Sequence, residues 1–501
     1  MGVDCLQAMK RYAAALAVIA LAAASAPALA QDGGTLKIRG TTTFEDELEV
    51  PMPGDDAADA AEETPVPKAA PTRNATTTSD VDTVTTGSVK PVQPGPWDEN
   101  GAPVAAGGTS LEATSPRDNF DDDADAYEQL GLRAGSFLVL PAVEIAGGGS
   151  DNIDRINKGK SGGYYRVSPE VVLRSDWSRH QLEMTLKGSY TGYPDSATRD
   201  DPSFEANANG RIDVREGTSI SLEGGYSLER EDMSSAEVAA GTETTAEVHQ
   251  LRGAVGLTQE FGRFALTGKG SLDRTLYTGG TGAGGVALDS ADRDNYLATA
   301  SLRAGYELTP SVKPYVEGAL LERVYDQEID SGGYRRGSTG YELKTGVEID
   351  LGAKLTADGS IGWHSEELRD RRFDPLEGLI LDGSLVWSPS RLTTVTLSGS
   401  TAFEPTTLSN SSGSVQYSGS VKVAHSLRRN LEVDAGLGLA WRTYEGLGQE
   451  DLTTTGTVGL AWKFNRNAAL TARYNYEALT SDRVGANYDA NSVEIGLRLQ
   501  R

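Results

Sequence analysis

Long runs of alternating apolar and polar residues constrain this chain more than any other feature of its sequence. They recur from residue 131 to residue 501, and one of the last runs shows them clearly. There Leu470, Ala472, Tyr474 and Tyr476 alternate with Thr471, Arg473, Asn475 and Glu477. Successive side chains of a strand point to opposite faces, so this period predicts strands with one apolar and one charged face. The two faces must therefore meet different surroundings.

Turn sequences separate these runs in two alternating classes. Eight tight turns are predicted, at Ser178-Arg179, Glu216-Gly217, Gly262-Arg263, Thr309-Pro310, Leu351-Gly352, Ser388-Pro389, Arg428-Arg429 and Asn465-Arg466. Nine longer stretches rich in Gly, Asp, Ser and Thr lie between them, for example residues 279–295, 327–339 and 481–491. Eight turns and nine loops join about 18 antiparallel strands and leave both ends of the strand region on the tight-turn side.

The predicted fold class is all-β, a transmembrane antiparallel β-barrel of about 18 strands. Short turns on one side, long loops on the other and runs that exceed roughly 9 to 11 residues are typical of outer-membrane barrels. Closure gives every backbone donor and acceptor a partner, as lipid requires. A propeller or solenoid is the alternative, because the repeat of roughly 40 residues also suits a blade. A blade needs four short strands, whereas each repeat here holds two long runs.

Three segments are expected along the chain. Residues 1–30 carry Lys10 and Arg11, an apolar run and Ala28-Leu29-Ala30, the order of a secretory signal peptide. Residues 31–130 hold 21 acidic and 6 basic residues and are predicted to be a disordered acidic periplasmic segment. Residues 131–501 are predicted to form the barrel in the outer membrane of a Gram-negative bacterium.

Several kinds of chemistry are not expected. The net charge of −26 argues against nucleic-acid binding, which needs Lys and Arg. The single cysteine, Cys5, precedes the predicted cleavage site, so no cysteine chemistry is expected in the mature protein. The acidic cluster at 121–125 lacks the spacing of a calcium loop, and no metal or cofactor is predicted. His364 and Ser360 share a strand face, but no nucleophile motif accompanies them, so no enzyme is predicted.

Charged residues on the polar face are the candidates for lining the barrel interior. They are Glu183, Lys187, Glu223, Lys269, Arg303, Arg442, Arg473 and Arg498. Aromatic residues that should lie at the two membrane interfaces form a second set. Trp177, Phe261, Trp387, Trp462 and Phe464 fall near the tight turns, and Tyr190, Tyr277, Tyr325 and Tyr444 fall near the loop ends.

The beginning of the strand region is similar to a known family. The segments Gly131–Pro141, Asp151–Ile153, Val167–Val171 and Asp176–His180 resemble the opening of the putative β-barrel porin 2 family. The resemblance implies an outer-membrane barrel, and some members of that family look linked to export of extracellular polysaccharide. One departure is the end of the chain, Leu497 to Arg501, which lacks the terminal aromatic residue of many such barrels.

The expected function is a porin or channel for passive passage of hydrophilic solutes. An exit channel for an extracellular polysaccharide and a surface adhesive or structural barrel with a closed lumen remain alternatives. Residues 131–501 hold 50 acidic and 38 basic residues, which favours modest cation preference if the acids lie near the constriction. The expected partners are outer-membrane lipid and lipopolysaccharide, the barrel-assembly machinery, and a hydrophilic solute or polysaccharide. No sequence feature establishes an oligomeric state.

Overall fold

A computed structural model describes residues 127–194, 200–238, 241–288 and 290–501, together with the paired backbone segments Gln93–Trp97 and Pro103–Ala106. The predicted signal peptide lies outside the described residues. So do most of the predicted acidic segment and the whole acidic cluster at 121–125.

The described chain forms one closed barrel of antiparallel strands, as the alternation predicted. In chain order the 18 strands are β1 Phe137–Ser150, β2 Gly162–Ser175, β3 Gln181–Gly192, β4 Asp201–Arg215, β5 Thr218–Arg230, β6 Glu247–Phe261, β7 Phe264–Thr278, β8 Asn295–Tyr306, β9 Val312–Tyr325, β10 Ser338–Asp350, β11 Leu355–Leu368, β12 Leu376–Ser390, β13 Thr393–Glu404, β14 Ser414–Arg428, β15 Leu431–Tyr444, β16 Gln449–Asn465, β17 Ala468–Ser481 and β18 Tyr488–Gln500. Each strand pairs with its neighbours in sequence.

Few other elements exist among the described residues. The short strands Thr242–Thr244, Thr281–Gly282 and Val286–Ala287 form a small sheet in two of the long loops. Three single-turn 3₁₀ helices span Ala283–Gly285, Ala291–Arg293 and Gly352–Lys354. No helix in the described part of the chain has the length and apolar composition needed to cross a membrane.

The barrel closes where β18 pairs with β1, from Ser492 opposite Ser150 to Gln500 opposite Ala142. Beyond the end of β18, the short strand Leu132–Ala134 folds back on β1 through a tight turn. Gly135 in that turn has a φ of 63°, a backbone conformation that glycine adopts without steric cost. The described chain therefore enters the barrel at the tight-turn end.

The two classes of connection fall at opposite ends of the barrel, with eight tight turns at one and nine loops at the other. Several predicted boundaries are displaced by one or two residues, since Asn295, Ser338, Thr339, Arg428 and Asn465 belong to strands, and two differ more clearly. Ser388 and Pro389 belong to β12, because the strand continues to Ser390 across a register irregularity and the turn follows at 391–392. The last loop covers only 482–487, since Tyr488 to Asn491 already pair with β17.

The two faces of the wall differ as the alternation predicted. Outward-facing Leu320 and Leu343 are 68% and 64% exposed, whereas inward-facing Glu317 is 4% exposed. The inward direction of the charged face is shown by Arg303 on β8, which reaches Glu348 on β10 across the intervening strand. Such contacts form on the concave side of a curved sheet. The apolar face therefore meets the membrane and the charged face meets the interior.

Proline residues in β1 and β2 are accommodated without a change of register. Pro169 has no N–H, and the pairing of β2 with β3 is interrupted at Ser168 and Pro169 but resumes unchanged on both sides. Pro141 lies where the β18 ladder ends, and its carbonyl accepts the Arg501 N–H at 3.2 Å. Neither proline therefore displaces a strand.

Candidate functional site

The inward face of the barrel carries the eight charged residues proposed as interior-lining, and each has an oppositely charged neighbour there. The pairs are Glu183 with Arg174, Lys187 and Arg498 with Glu170, Glu223 with Lys269, Arg303 with Glu317, Arg442 with Glu404, and Arg473 with Glu494. These pairs join neighbouring or next-neighbouring strands. That they line a conducting path remains a prediction.

The densest part of this face is a charge network on β8, β9 and β10. The guanidinium of Arg303 lies 2.6 Å from a Glu317 oxygen and 3.1 Å from a Glu348 oxygen, and it covers the ring of Tyr315 at 4.0 Å. The Lys344 ammonium lies 3.6 Å from the other Glu317 oxygen. Charged groups are tolerated at this depth because each lies beside a group of opposite charge.

Carboxylates outnumber cations on the inward faces of β8 to β12. The inward-facing acids are Glu317, Glu342, Glu348, Asp350, Asp358, Glu366 and Asp382, and the inward-facing cations are Arg303, Lys313, Arg323 and Lys344. Seven acids against four cations leave this wall with a net negative charge. A negative wall raises the local concentration of cations in an aqueous pore.

His364 on β11 faces inward, as expected, but its surroundings differ from a nucleophile and base pair. Its Nδ1 lies 3.1 Å from Glu342 and its Nε2 lies 3.5 Å from Glu366. The imidazole ring stacks on Phe403 at 3.9 Å between centroids. Both ring nitrogens therefore face carboxylates rather than Ser360.

Contacts between long loops span the mouth of the barrel. Glu237, in the loop between β5 and β6, accepts hydrogen bonds from the hydroxyls of Thr406 and Thr407 in the loop between β13 and β14, the latter at 2.9 Å. Arg483, in the last loop, donates to the carbonyls of Ser234 and Ser235. Since β5 and β13 lie eight strands apart around the barrel, the loops narrow its opening.

Arg336, in the loop between β9 and β10, holds the loop at 405–413 in place. Its guanidinium donates to the carbonyls of Ser411 at 2.6 Å, Leu408 at 3.0 Å and Thr407 at 3.1 Å. It also pairs with Asp330 at 2.7 Å. Sequence reasoning did not single out Arg336 or Glu237, because loop residues follow no alternation and their partners are distant in sequence.

The loop at 369–375, between β11 and β12, depends on the carboxylate of Asp370. The side chain of Arg372 donates to it at 2.6 and 2.9 Å, and the backbone N–H groups of Arg335 and Arg372 donate at 3.2 and 3.1 Å. These hydrogen bonds, those of the Arg372 side chain first, hold the pKa of Asp370 well below its usual range.

The lowered pKa predicts how acid affects this loop. Stabilisation by a carboxylate whose pKa is lowered on folding is present above the unfolded pKa of about 3.9 and is lost as the pH falls through the folded value. We expect the 369–375 loop to keep its hydrogen-exchange protection down to about pH 4, and Asp370→Asn to weaken that protection at neutral pH. Asp374→Asn, an exposed change in the same loop, is the control. Equal exchange in both variants would contradict this role of Asp370.

Most of the predicted interface aromatic residues lie on the outer surface. Trp177, Phe261, Trp387, Trp462 and Phe464 are exposed near the tight turns, and Tyr190 is exposed near the loop end of β3. The prediction is wrong for Tyr277, Tyr325 and Tyr444. Tyr277 lies under the guanidinium of Arg293 on the inward face, and Tyr325 and Tyr444 are buried there.

The alternation along the strand already indicates an inward position for Tyr277. Tyr277 shares the parity of the inward-facing Lys269 and Asp273 on β7, which the alternation could have shown. At the loop end, the outward positions are instead held by tyrosines that the sequence reasoning passed over. Tyr165, Tyr296 and Tyr341 are each more than 40% exposed there.

Comparison with known proteins gives a family match. The model of the family described as Putative beta-barrel porin 2 matches residues 125–501. No curated protein sequence matches the chain.

Among the described residues, no group of three or more His, Cys, Asp or Glu side chains is placed to hold a metal ion.

Several solved structures are distantly similar to the chain. The copper transporter OprC is 11% identical with a TM-score of 0.41, over 74% of this chain and 81% of that one. The siderophore receptor PirA from Acinetobacter baumannii is 6% identical with a TM-score of 0.35, over 72% and 80%. A bacterial polysaccharide outer membrane secretin is 14% identical with a TM-score of 0.29, over 72% and 98%.

Proposed function

Because the chain belongs to the Putative beta-barrel porin 2 family, we propose that it is an outer-membrane channel through which small hydrophilic solutes diffuse passively. The observation that carries this proposal is the charged inward face, where ion pairs recur on strands from β2 to β18. Charges at this depth of a membrane are tolerated where they meet water or one another. Barrels of 16 to 18 strands are wide enough to leave an aqueous channel.

We propose the following orientation and partners. The outward apolar face contacts outer-membrane lipid, with lipopolysaccharide at the loop end, and the barrel-assembly machinery inserts the chain. The tight-turn end faces the periplasm, which would place the N-terminal acidic segment there. This orientation is supported by the short turns at that end and the long loops at the other, the arrangement usual in outer-membrane barrels.

Export of a polysaccharide is the second candidate. One observation favours it, the inward-facing tyrosines near the loop end, including Tyr277, Tyr325 and Tyr444. Aromatic rings provide flat apolar surfaces beside which polar groups can bind, as a sugar polymer would need. These three rings are packed beneath the mouth loops, so export would require the loops to move. A neutral sugar polymer that blocks ion current from the periplasmic side would support this candidate over small-solute passage.

Planar-bilayer recording of the refolded chain from residue 31 to residue 501 tests the proposed channel. Stable unitary current steps with a modest preference for cations are the expected result. A gel shift on heating first confirms that the barrel has folded. A folded barrel with no current steps would contradict the channel and favour a surface adhesive or structural role.

Ion selectivity provides a sharper test. Glu348→Lys changes the charge of the inward face of β10 by two units, and we expect the cation-to-anion permeability ratio to fall roughly twofold to fivefold. The control is Glu322→Lys, which makes the same change of charge at an exposed, outward-facing position of β9. Selectivity that responds equally to both variants would show that the inward face does not line the path.

A further inference from the structure

The barrel wall is incompletely paired between β12 and β13. The ladder joins them in six residue pairs, from Ser390 opposite Thr393 up to Gly383 opposite Gly399. The ladders on either side, between β11 and β12 and between β13 and β14, each contain twelve pairs. The half of this seam nearer the mouth therefore has no regular backbone ladder.

The ladder stops at a row of four glycines. Gly359 on β11 lies opposite Gly383 on β12, which lies opposite Gly399 on β13, and Gly399 lies opposite Gly419 on β14. Glycine lacks a Cβ and adopts backbone conformations closed to other residues, so glycines in register across adjacent strands allow a sheet to bend. This row, which crosses β11 to β14, is suited to act as a hinge for the strands above it.

Side chains replace the backbone ladder above this row. The Thr401 hydroxyl accepts from the Leu381 N–H at 2.8 Å and donates to the Leu381 carbonyl at 3.2 Å. The Thr401 N–H donates to the Asp382 carboxylate at 3.0 Å. The Tyr417 hydroxyl donates to the Leu379 carbonyl at 3.1 Å. These bonds satisfy backbone groups that a ladder would otherwise pair, at positions where lipid makes unpaired groups costly.

Above the glycine row, β13 leans inward over its neighbours. The alternation along β13 places Phe403 on the outward face. Its ring nevertheless stacks on His364, an inward-facing residue of β11. A Cβ added to the inward-facing Gly378 on β12 would lie 3.1 Å from the Phe403 ring. Phe403 can reach these residues only if its strand has moved to the inner side of β12.

We propose that residues 400–418, the outer half of the β13–β14 hairpin, form a gate at the extracellular mouth of the channel. In the bent position seen here, Glu237 from the opposite side and Arg336 hold the tip of this gate hairpin. In the straight position the ladder continues in register, with Leu381 opposite Thr401 and Leu379 opposite Phe403. The backbone bonds then replace the side-chain bonds, and the tip withdraws from the mouth.

Residues 400–418 can take two positions because backbone bonds in one replace side-chain bonds in the other. In the bent position side chains bind the Leu381 N–H and carbonyl and the Leu379 carbonyl, and in the straight position the backbone of β13 would bind the same three groups, so these groups are paired in both. An element with two satisfied packings is the general basis of switching, and groups that contact only one packing shift its population. Thr401 and Glu237 are such groups, because their side-chain bonds exist in the bent position.

Distance measurement tests the gate without requiring that the barrel conduct. One spin label replaces Asn410 at the tip and the other replaces Leu251 on the outward face of β6, on the far side of the barrel. We expect double electron–electron resonance to show two distances between the labels, a short one in most molecules and a longer one in a minority. Thr401→Val removes two bonds of the bent position and should raise the ratio of long to short distances at least fivefold.

Thr396→Val is the matched control, since Thr396 lies on the same strand below the glycine row and its hydroxyl has no hydrogen-bond partner among the described residues. A single distance that Thr401→Val leaves unchanged would overturn the gate. So would an equal shift in both variants.

This inference rests on the proposed channel, and conductance separates the two. If Thr401→Val lengthens the distance and raises the open fraction in planar bilayers, both are supported. A lengthened distance in a barrel that never conducts would overturn the channel and leave a moving hairpin. Normal conductance with an immobile hairpin would overturn the gate alone.

Discussion

Replacing Arg336 with Ala is expected to release the loop at 405–413 while the barrel stays folded. Arg336 and Asp330 are each only 2% exposed, so the change leaves a buried carboxylate without its partner and removes three bonds to loop carbonyls. Breaking a buried ion pair by removing one partner costs about 3–5 kcal/mol. Local stability of the mouth should fall by that amount, because Arg336 makes no contact with the lower wall.

Hydrogen exchange measured by mass spectrometry checks this expectation. The 405–413 segment should exchange roughly a hundredfold to several-thousandfold faster, as about 3–5 kcal/mol implies at about 1.4 kcal/mol for each tenfold change. Arg335→Ala is the matched control, because the neighbouring Arg335 pairs with Glu328 at 3.6 Å with both side chains more than half exposed. Unchanged protection in Arg336→Ala would show that this guanidinium does not hold the loop.

Replacing Glu494 with Ala is expected to weaken the closure of the barrel. Glu494 lies on β18, is 2% exposed, and pairs with Arg166 on β2 across the closing strand β1 and with Arg473 on β17 at 3.5 Å. Its loss removes the anion that pairs with both cations on the inward face. We expect the free energy of unfolding to fall by about 3–5 kcal/mol, mainly through the lost pair with the buried Arg166.

Urea unfolding followed by the loss of the compact gel band measures this change. Asp489→Ala, which removes an exposed carboxylate from the same strand, is the control. The double variant Glu494→Ala with Arg166→Ala should be less destabilised than the sum of the single variants, because each single change already breaks the ion pair that the two residues share. Additive losses would mean that the two side chains are not coupled.

The strands could be predicted from the sequence because the two faces of the barrel wall have different surroundings. Lipid outside and charged groups inside oblige each strand to alternate, so residues such as Leu320 and Glu317 reveal their faces without any partner being known. The inward placement of Arg303, Lys269 and Arg473 follows from the same rule. Turn lengths then gave the number of strands, since a closed antiparallel barrel admits few other arrangements.

Other features depended on contacts between residues far apart in the chain. Nothing local distinguishes Arg336 from Arg335, and only the folded loops place one guanidinium against three carbonyls and the other in solvent. The break between β12 and β13 also depends on distant contacts, because no residue of either strand shows by itself that the Thr401 side chain bonds to the Leu381 backbone. The lean of β13 over His364 decides which backbone groups find a ladder partner.

By itself, then, the sequence determined an 18-stranded barrel with an apolar outer face and a charged inner face. Those properties follow from hydrophobic burial and from the need to pair every backbone group in lipid, which act at each residue independently of distant partners. Only the tertiary structure decided how the mouth is narrowed and where the wall is weakest. Those properties arise from competition between backbone ladders and side-chain bonds of similar strength, and the winner depends on how distant segments meet.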